Sequence, residues 1–252
     1  LRISLFQEVM QAIPKQKMGF YIFENQPWEF ALLHFWRAAG HGNMIGVPHT
    51  TQRFWDLRYH RDARCYDCDP TGLGFPVPNQ LAVNGPLSEA SLLSGGCPKE
   101  RLVDVEALRY LYLEHKSTVR KPRPLGLGLC VLICGEFLPE NNVQLFTWIK
   151  LAIPNMAENT SFIFKPHPAY PAHEQFLKSL PIEVRHEPIH DLLKECDVMF
   201  VTDNSGAAVD AFCVGVPVVQ MSDGAAFNTS SLRGVSGIII VNSPEALAEA
   251  LT

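Results

Sequence analysis

The stretch DVMFVTDNSGAAVDAFCVGVPVVQM, Asp197–Met221, decides the fold. It opens with a β-branched and aromatic run ending at Asp203, passes through NSGAAVDAFCVG, which has helical composition, and closes with a second apolar run, VPVVQM. Strand, helix, strand in that order is the repeating unit of a parallel α/β sheet.

The unit recurs outward from this stretch. LCVLICGEF, SFIFKPHP, IEVRHE and GIIIV read as further strands, and ENNVQLFTWIKLAI, AHEQFLKSL and IHDLLKEC as helices between them. Five or six β-rich runs alternating with helices describe a doubly wound sheet. The first half repeats the theme less regularly. After MGFYIF and a polar break at Glu24–Pro27, apolar positions Phe30, Leu33, Phe35, Trp36 and Ala39 recur at helical spacing, with Gly40 as the stop. NMIGV, LAVNG and LVDVEAL read as strands, and SEASLLSGG as a helix with a serine cap and a glycine stop. The basic, proline-bearing segment EHKSTVRKPRP, Glu114–Pro124, separates the halves. The expected organisation is an α/β protein of two Rossmann-like domains, residues 1–118 and 119–252. The chain starts at a leucine and stops inside the apparent helix SPEALAEALT, so the first domain is expected to be truncated.

With 252 residues, 47% hydrophobic, the chain can bury a sizeable core, and its formal charge of -5 argues against a nucleic-acid partner. The apolar run LGLGLCVLICG is about half a membrane span. The odd number of cysteines, seven, does not suggest a disulfide framework; Cys130, Cys134, Cys196 and Cys213 fall in or beside apolar runs and read as a reduced core. Cys65 and Cys68 form a lone CxxC, too little for a zinc site. No GxGxxG opens a helix after a strand, which argues against a dinucleotide cofactor, and DNSGA lacks the GxSxG elbow of serine hydrolases.

Ligands of open α/β sheets sit beyond the carboxyl ends of the strands. Three ends carry polar groups: Gly135 and Glu136; Lys165, His167 and Pro168; and Asp203, Asn204 and Ser205, followed by Gly206 at a helix start suited to phosphate. Lys165 and His167 together would clamp an anion. In the first half Glu24, Glu29 and His49 follow apolar runs and are candidates for a general base, while Glu24 is also a candidate helix cap.

KPHP at a strand end, with VTDNSGAAVDAFCVGVPVV further on, resembles the donor domain of GT-B glycosyltransferases of bacterial surface polysaccharides. The likeness spans Leu129–Val241 and extends to capsule sialyl- and Kdo-transferases and to teichoic-acid glycerophosphotransferases. PHTT, Pro48–Thr51, resembles the QHGT loop of the latter, with Pro48 and Thr50 in place of glutamine and glycine. The family's second serine is Gly206 here, one hydroxyl fewer for the donor phosphate. The resemblance implies a glycosyltransferase of capsule or lipopolysaccharide type. It would move a sugar from a nucleotide-activated donor, CMP-sugar favoured, to a glycan or lipid-linked acceptor. His167, Pro168, Asp203 and Ser205 would hold the donor. It needs no metal and no cofactor beyond the donor, and suits a cytoplasmic protein peripheral at the inner membrane. An epimerase or hydrolase of nucleotide sugars on the same frame, or a non-catalytic binding module, are the alternatives.

Overall fold

The computed structural model describes residues 2–48, 50–66, 74–115, 128–170, 177, 180–224 and 227–252. His49, Cys68, most of the expected AHEQFLKSL helix and the expected linker from residue 116 onward lie outside the described residues. Two compact units are present: Leu1–Gln52 with Asp56–Arg109, and Arg53–Trp55 with Tyr110–Thr252.

The first unit holds four parallel strands in chain order, β1 Met18–Ile22, β2 Asn43–Val47, β3 Gln80–Val83 and β4 Leu102–Asp104. Helices span Arg2–Ala12, Pro27–Ala38 and Pro86–Ser94. The core gathers Phe23, Leu33, Trp36, Tyr59, Leu81 and Leu92. Gly40 does end its helix: it takes φ 70°, a left-handed conformation that favours glycine, and the His41 amide donates back to the Trp36 carbonyl at 3.2 Å. Two expectations need correction. The Pro86–Ser94 helix has Gly85 at its cap and Pro86 in its first turn, so no serine caps it; proline supplies a preset φ there. LVDVEAL is extended only over Leu102–Asp104. The helix over Arg2–Ala12 was not legible, because its apolar residues do not gather on one stripe: Ile3, Leu5 and Val9 are exposed.

The second unit holds β5 Cys130–Cys134, β6 Ser161–Lys165, β7 Ile182–Val184, β8 Val198–Thr202, β9 Val218–Met221 and β10 Ile238–Val241. All pair in parallel in the order β10-β9-β8-β5-β6-β7. Every residue of β5, β8 and β9 is buried, whereas β7 and β10 at the edges are partly exposed. Central strands covered on both faces explain why those runs are apolar throughout instead of alternating. Val131, Ile133, Val198 and Phe200 point into one core with Leu145 and Ile149 of the Pro139–Ala152 helix and Leu247 of the Pro244–Ala250 helix. Cys130, Leu132, Met199 and Val201 point the other way, onto Leu192, Ala208 and Ala211. Cys130, Cys134 and Cys196 are buried free thiols; Cys213, expected in the core, is exposed.

Chain direction reverses its winding between β5 and β8. β5, β6 and β7 run outward to one side and β8, β9 and β10 to the other, the Rossmann order with its switch point between β5 and β8.

Candidate functional site

At that switch point two strand ends meet. β5 runs into Gly135 and Glu136, and β8 ends at Thr202. Glu136 is 8% exposed, and its Oε1 accepts the Thr202 hydroxyl at 2.7 Å. The Ser205 hydroxyl lies near the same carboxylate. Burial lifts the Glu136 carboxyl above its ordinary pKa, against the pull of these two hydroxyls, of the Arg53 charge and of His167. Asn142 fixes the backbone here, accepting from the Glu136 amide at 2.7 Å and donating to its carbonyl at 3.0 Å. Thr202 escaped the sequence reading; its one signal was a hydroxyl on the last residue of an otherwise apolar strand.

His167 stands at the adjoining strand end. The Gly135 amide donates to the Lys165 carbonyl at 2.8 Å, extending the β5–β6 pairing to the edge of the crevice. Beyond it, His167–Tyr170 closes as a turn, with the Tyr170 amide donating to the His167 carbonyl at 2.9 Å and Pro168 presetting the second position. The Ala169 amide donates to His167 Nδ1 at 3.2 Å. A neutral imidazole that accepts at Nδ1 carries its proton at Nε2, so Nε2 is the donor this turn presents. Phe137 meets the imidazole edge to face at 5.7 Å. The Lys165 Nζ donates to the Glu187 carbonyl at 2.8 Å, beyond the neighbouring β7.

The third strand end is tied to a neighbouring loop. Asp203 Oδ2 accepts the Thr229 amide at 3.2 Å and Asn204 Oδ1 the Thr229 hydroxyl at 3.5 Å; burial raises the Asp203 carboxyl. Behind that loop Ser230 donates to the fully buried Gln220 at 2.7 Å. Neither Asp203 nor Ser205 caps the helix Ala207–Cys213; Gly206 is its N-cap, at φ -66° and ψ -22°, a conformation open to any residue. The Ala208 and Val209 amides bond the Ser205 and Gly206 carbonyls, at 3.4 and 3.1 Å, so this short helix offers an anion less than its sequence suggested.

Among the first unit's base candidates, Glu29 is 1% exposed and its Oε1 accepts the Glu24 and Gln26 amides at 2.9 and 2.8 Å. It is a helix-capping carboxylate, not a base, and it holds the place at the helix start that the sequence suggested for Glu24. Glu24 lies half-buried just past β1, within electrostatic reach of Arg58 and Tyr59. In the second unit the exposed Arg53 acts on both Glu136 and Asp203, a cation that sequence reading missed because it is remote in the chain from both. Among the described residues no three His, Cys, Asp or Glu side chains converge as metal ligands.

No family model matches the chain, and no curated protein matches its sequence. Solved structures do match along nearly its whole length. MnaA of S. aureus, solved with UDP, superposes with a TM-score of 0.60 at 13% identity over 99% of this chain and 68% of its own. CalG4, the calicheamicin glycosyltransferase, gives 0.60 at 13% identity over 98% and 67%. The UDP-GlcNAc 2-epimerase of Neisseria meningitidis, bound to UDP-GlcNAc, gives 0.55 at 15% identity over 99% and 70%. At such identities the likeness is one of fold, and that fold is GT-B: an α/β chain of Rossmann-like parallel sheets.

Proposed function

We propose that the protein is a glycosyltransferase that takes a sugar from a nucleotide-activated donor and passes it to a surface-polysaccharide or glycolipid acceptor. The observation carrying this reading is the β5/β8 switch point, where Glu136, Thr202 and Ser205 converge beside an imidazole held with Nε2–H as its donor. In this reading residues 119–252 bind the donor and residues 1–118 serve the acceptor. His167 donates to a donor phosphate oxygen and stabilises the charge that grows on the departing nucleotide. Ser205 contributes a hydroxyl, and Pro168 holds the imidazole's turn. Glu24 or His49 takes the acceptor's proton. Orientation of the two substrates supplies much of the remaining rate.

The family resemblance favours a CMP-sugar, whereas the structural neighbours carry UDP and UDP-GlcNAc. Among the described residues no helix is long and apolar enough to cross a membrane; work at the inner membrane face would be peripheral. The epimerase likeness favours one second reading, turnover of a nucleotide sugar without an acceptor.

Calorimetric titration with CMP, CDP, UDP and GDP tests the reading. One nucleotide should bind selectively, and His167→Ala should weaken it roughly tenfold to hundredfold, the scale of one hydrogen bond to a charged group. A folded protein that binds none of the four, or a variant that binds equally well, ends it. Nucleotide-sugar consumption without added acceptor would shift the assignment to the epimerase class.

A further inference from the structure

Resting on the nucleotide reading above, Glu136 poses a problem of its own. Its carboxylate occupies the crevice where a phosphate would enter, and it already holds the Thr202 hydroxyl, with the Ser205 hydroxyl near by. It cannot withdraw easily. The backbone on either side is fixed, by the Gly135 amide on the Lys165 carbonyl and by Asn142 on both polar groups of the Glu136 main chain. A second anion would arrive beside a carboxylate that is only 8% exposed, where like charges repel strongly.

The surrounding charges sharpen the conflict. His167 faces Glu136 from the β6 exit and Arg53 from the Arg53–Trp55 segment, and both favour its ionised form. A bound phosphate would engage the Arg53 guanidinium and the imidazole donor and cancel their support. The other titratable groups nearby among the described residues are the Cys134 thiol on β5, its register partner Lys165, whose Nζ donates to the Glu187 carbonyl, and, further off, Asp203 past β8 and Asp210, which accepts from the Tyr112 hydroxyl.

We infer that Glu136 takes up a proton from solvent when a nucleotide phosphate enters the crevice. The neutral carboxyl then no longer repels the phosphate and becomes a donor itself. Nucleotide affinity accordingly falls as pH rises, approaching tenfold per pH unit once the free enzyme's Glu136 is ionised.

The test uses UDP-glucose and CDP-glucose, whose esterified diphosphates do not titrate near neutrality. Each is titrated into the intact protein from about pH 6 to 8 in buffers of different protonation enthalpy. The expected result is a buffer-dependent heat equal to uptake of about one proton per ligand, which persists in His167→Gln and disappears in Glu136→Gln. An infrared difference spectrum of the wild-type protein, which should gain a protonated-carboxyl band on binding, gives the same answer without any variant. Binding with no proton uptake, with proton release, or with uptake surviving in Glu136→Gln overturns the inference and leaves the nucleotide reading standing. Binding of neither, nor of a CMP-sugar or GDP-glucose titrated in the same way, overturns both.

Discussion

Gly135 has no room for a side chain. A Cβ there would lie 2.9 Å from Phe164 Cζ and 3.1 Å from the His167 amide nitrogen, one a core ring and the other backbone. Gly135→Ala should therefore cost about 1–3 kcal/mol in urea unfolding, since neither neighbour can move cheaply, and it should weaken nucleotide binding by shifting His167. Glu136 makes a pH-dependent prediction. Burial holds its folded-state pKa above the ordinary 4.5. Its contribution favours folding below that value and is lost as pH rises through the raised one. Glu136→Gln escapes this loss, so the stability of the variant relative to wild type should rise between pH 4.5 and neutrality, as read from denaturation midpoints at a series of pH values. A relative stability that falls over that window would contradict the burial argument. At this scale the sequence pointed to Glu136 and His167, because polar residues ending apolar strands stand out. It could not show that Lys165 turns to Glu187 or that Thr202 serves Glu136, since those partners are set by which strands lie side by side.

Among the elements, the Pro27–Ala38 helix depends on Glu29. Its carboxylate satisfies the Glu24 and Gln26 amides at the helix start, so Glu29→Ala should cost about 1–2 kcal/mol. Glu29→Gln, which keeps an acceptor, should cost less; circular-dichroism melts of both variants check the order. Strands β5, β8 and β9 were legible as continuous apolar runs, and Gly40 as a helix stop, because burial on both faces and left-handed φ each leave a local mark. The Ala207–Cys213 helix was legible too, but its cap was not. Gly206 takes that position, and the Asp203 carboxylate accepts from Thr229 instead.

For the molecule as a whole, each unit has a core of its own. Leu132 is fully buried in β5, and Leu132→Ala should cost about 2–5 kcal/mol. Hydrogen exchange should locate that loss, with amides of β5 to β10 exchanging faster and those of β1 to β4 little changed. Equal acceleration in both units would show that the cores do not act separately. Periodicity, strand-ending polar residues and the glycine and proline punctuation were enough, without coordinates, to establish an α/β chain of alternating strands and helices. They also marked three strand ends as places for chemistry, because these properties are local. The order β10-β9-β8-β5-β6-β7 is not local. It places β8 beside β5 although two strands intervene in the chain, and only that adjacency brings Thr202 and Ser205 to Glu136 and makes a crevice of two separate strand ends.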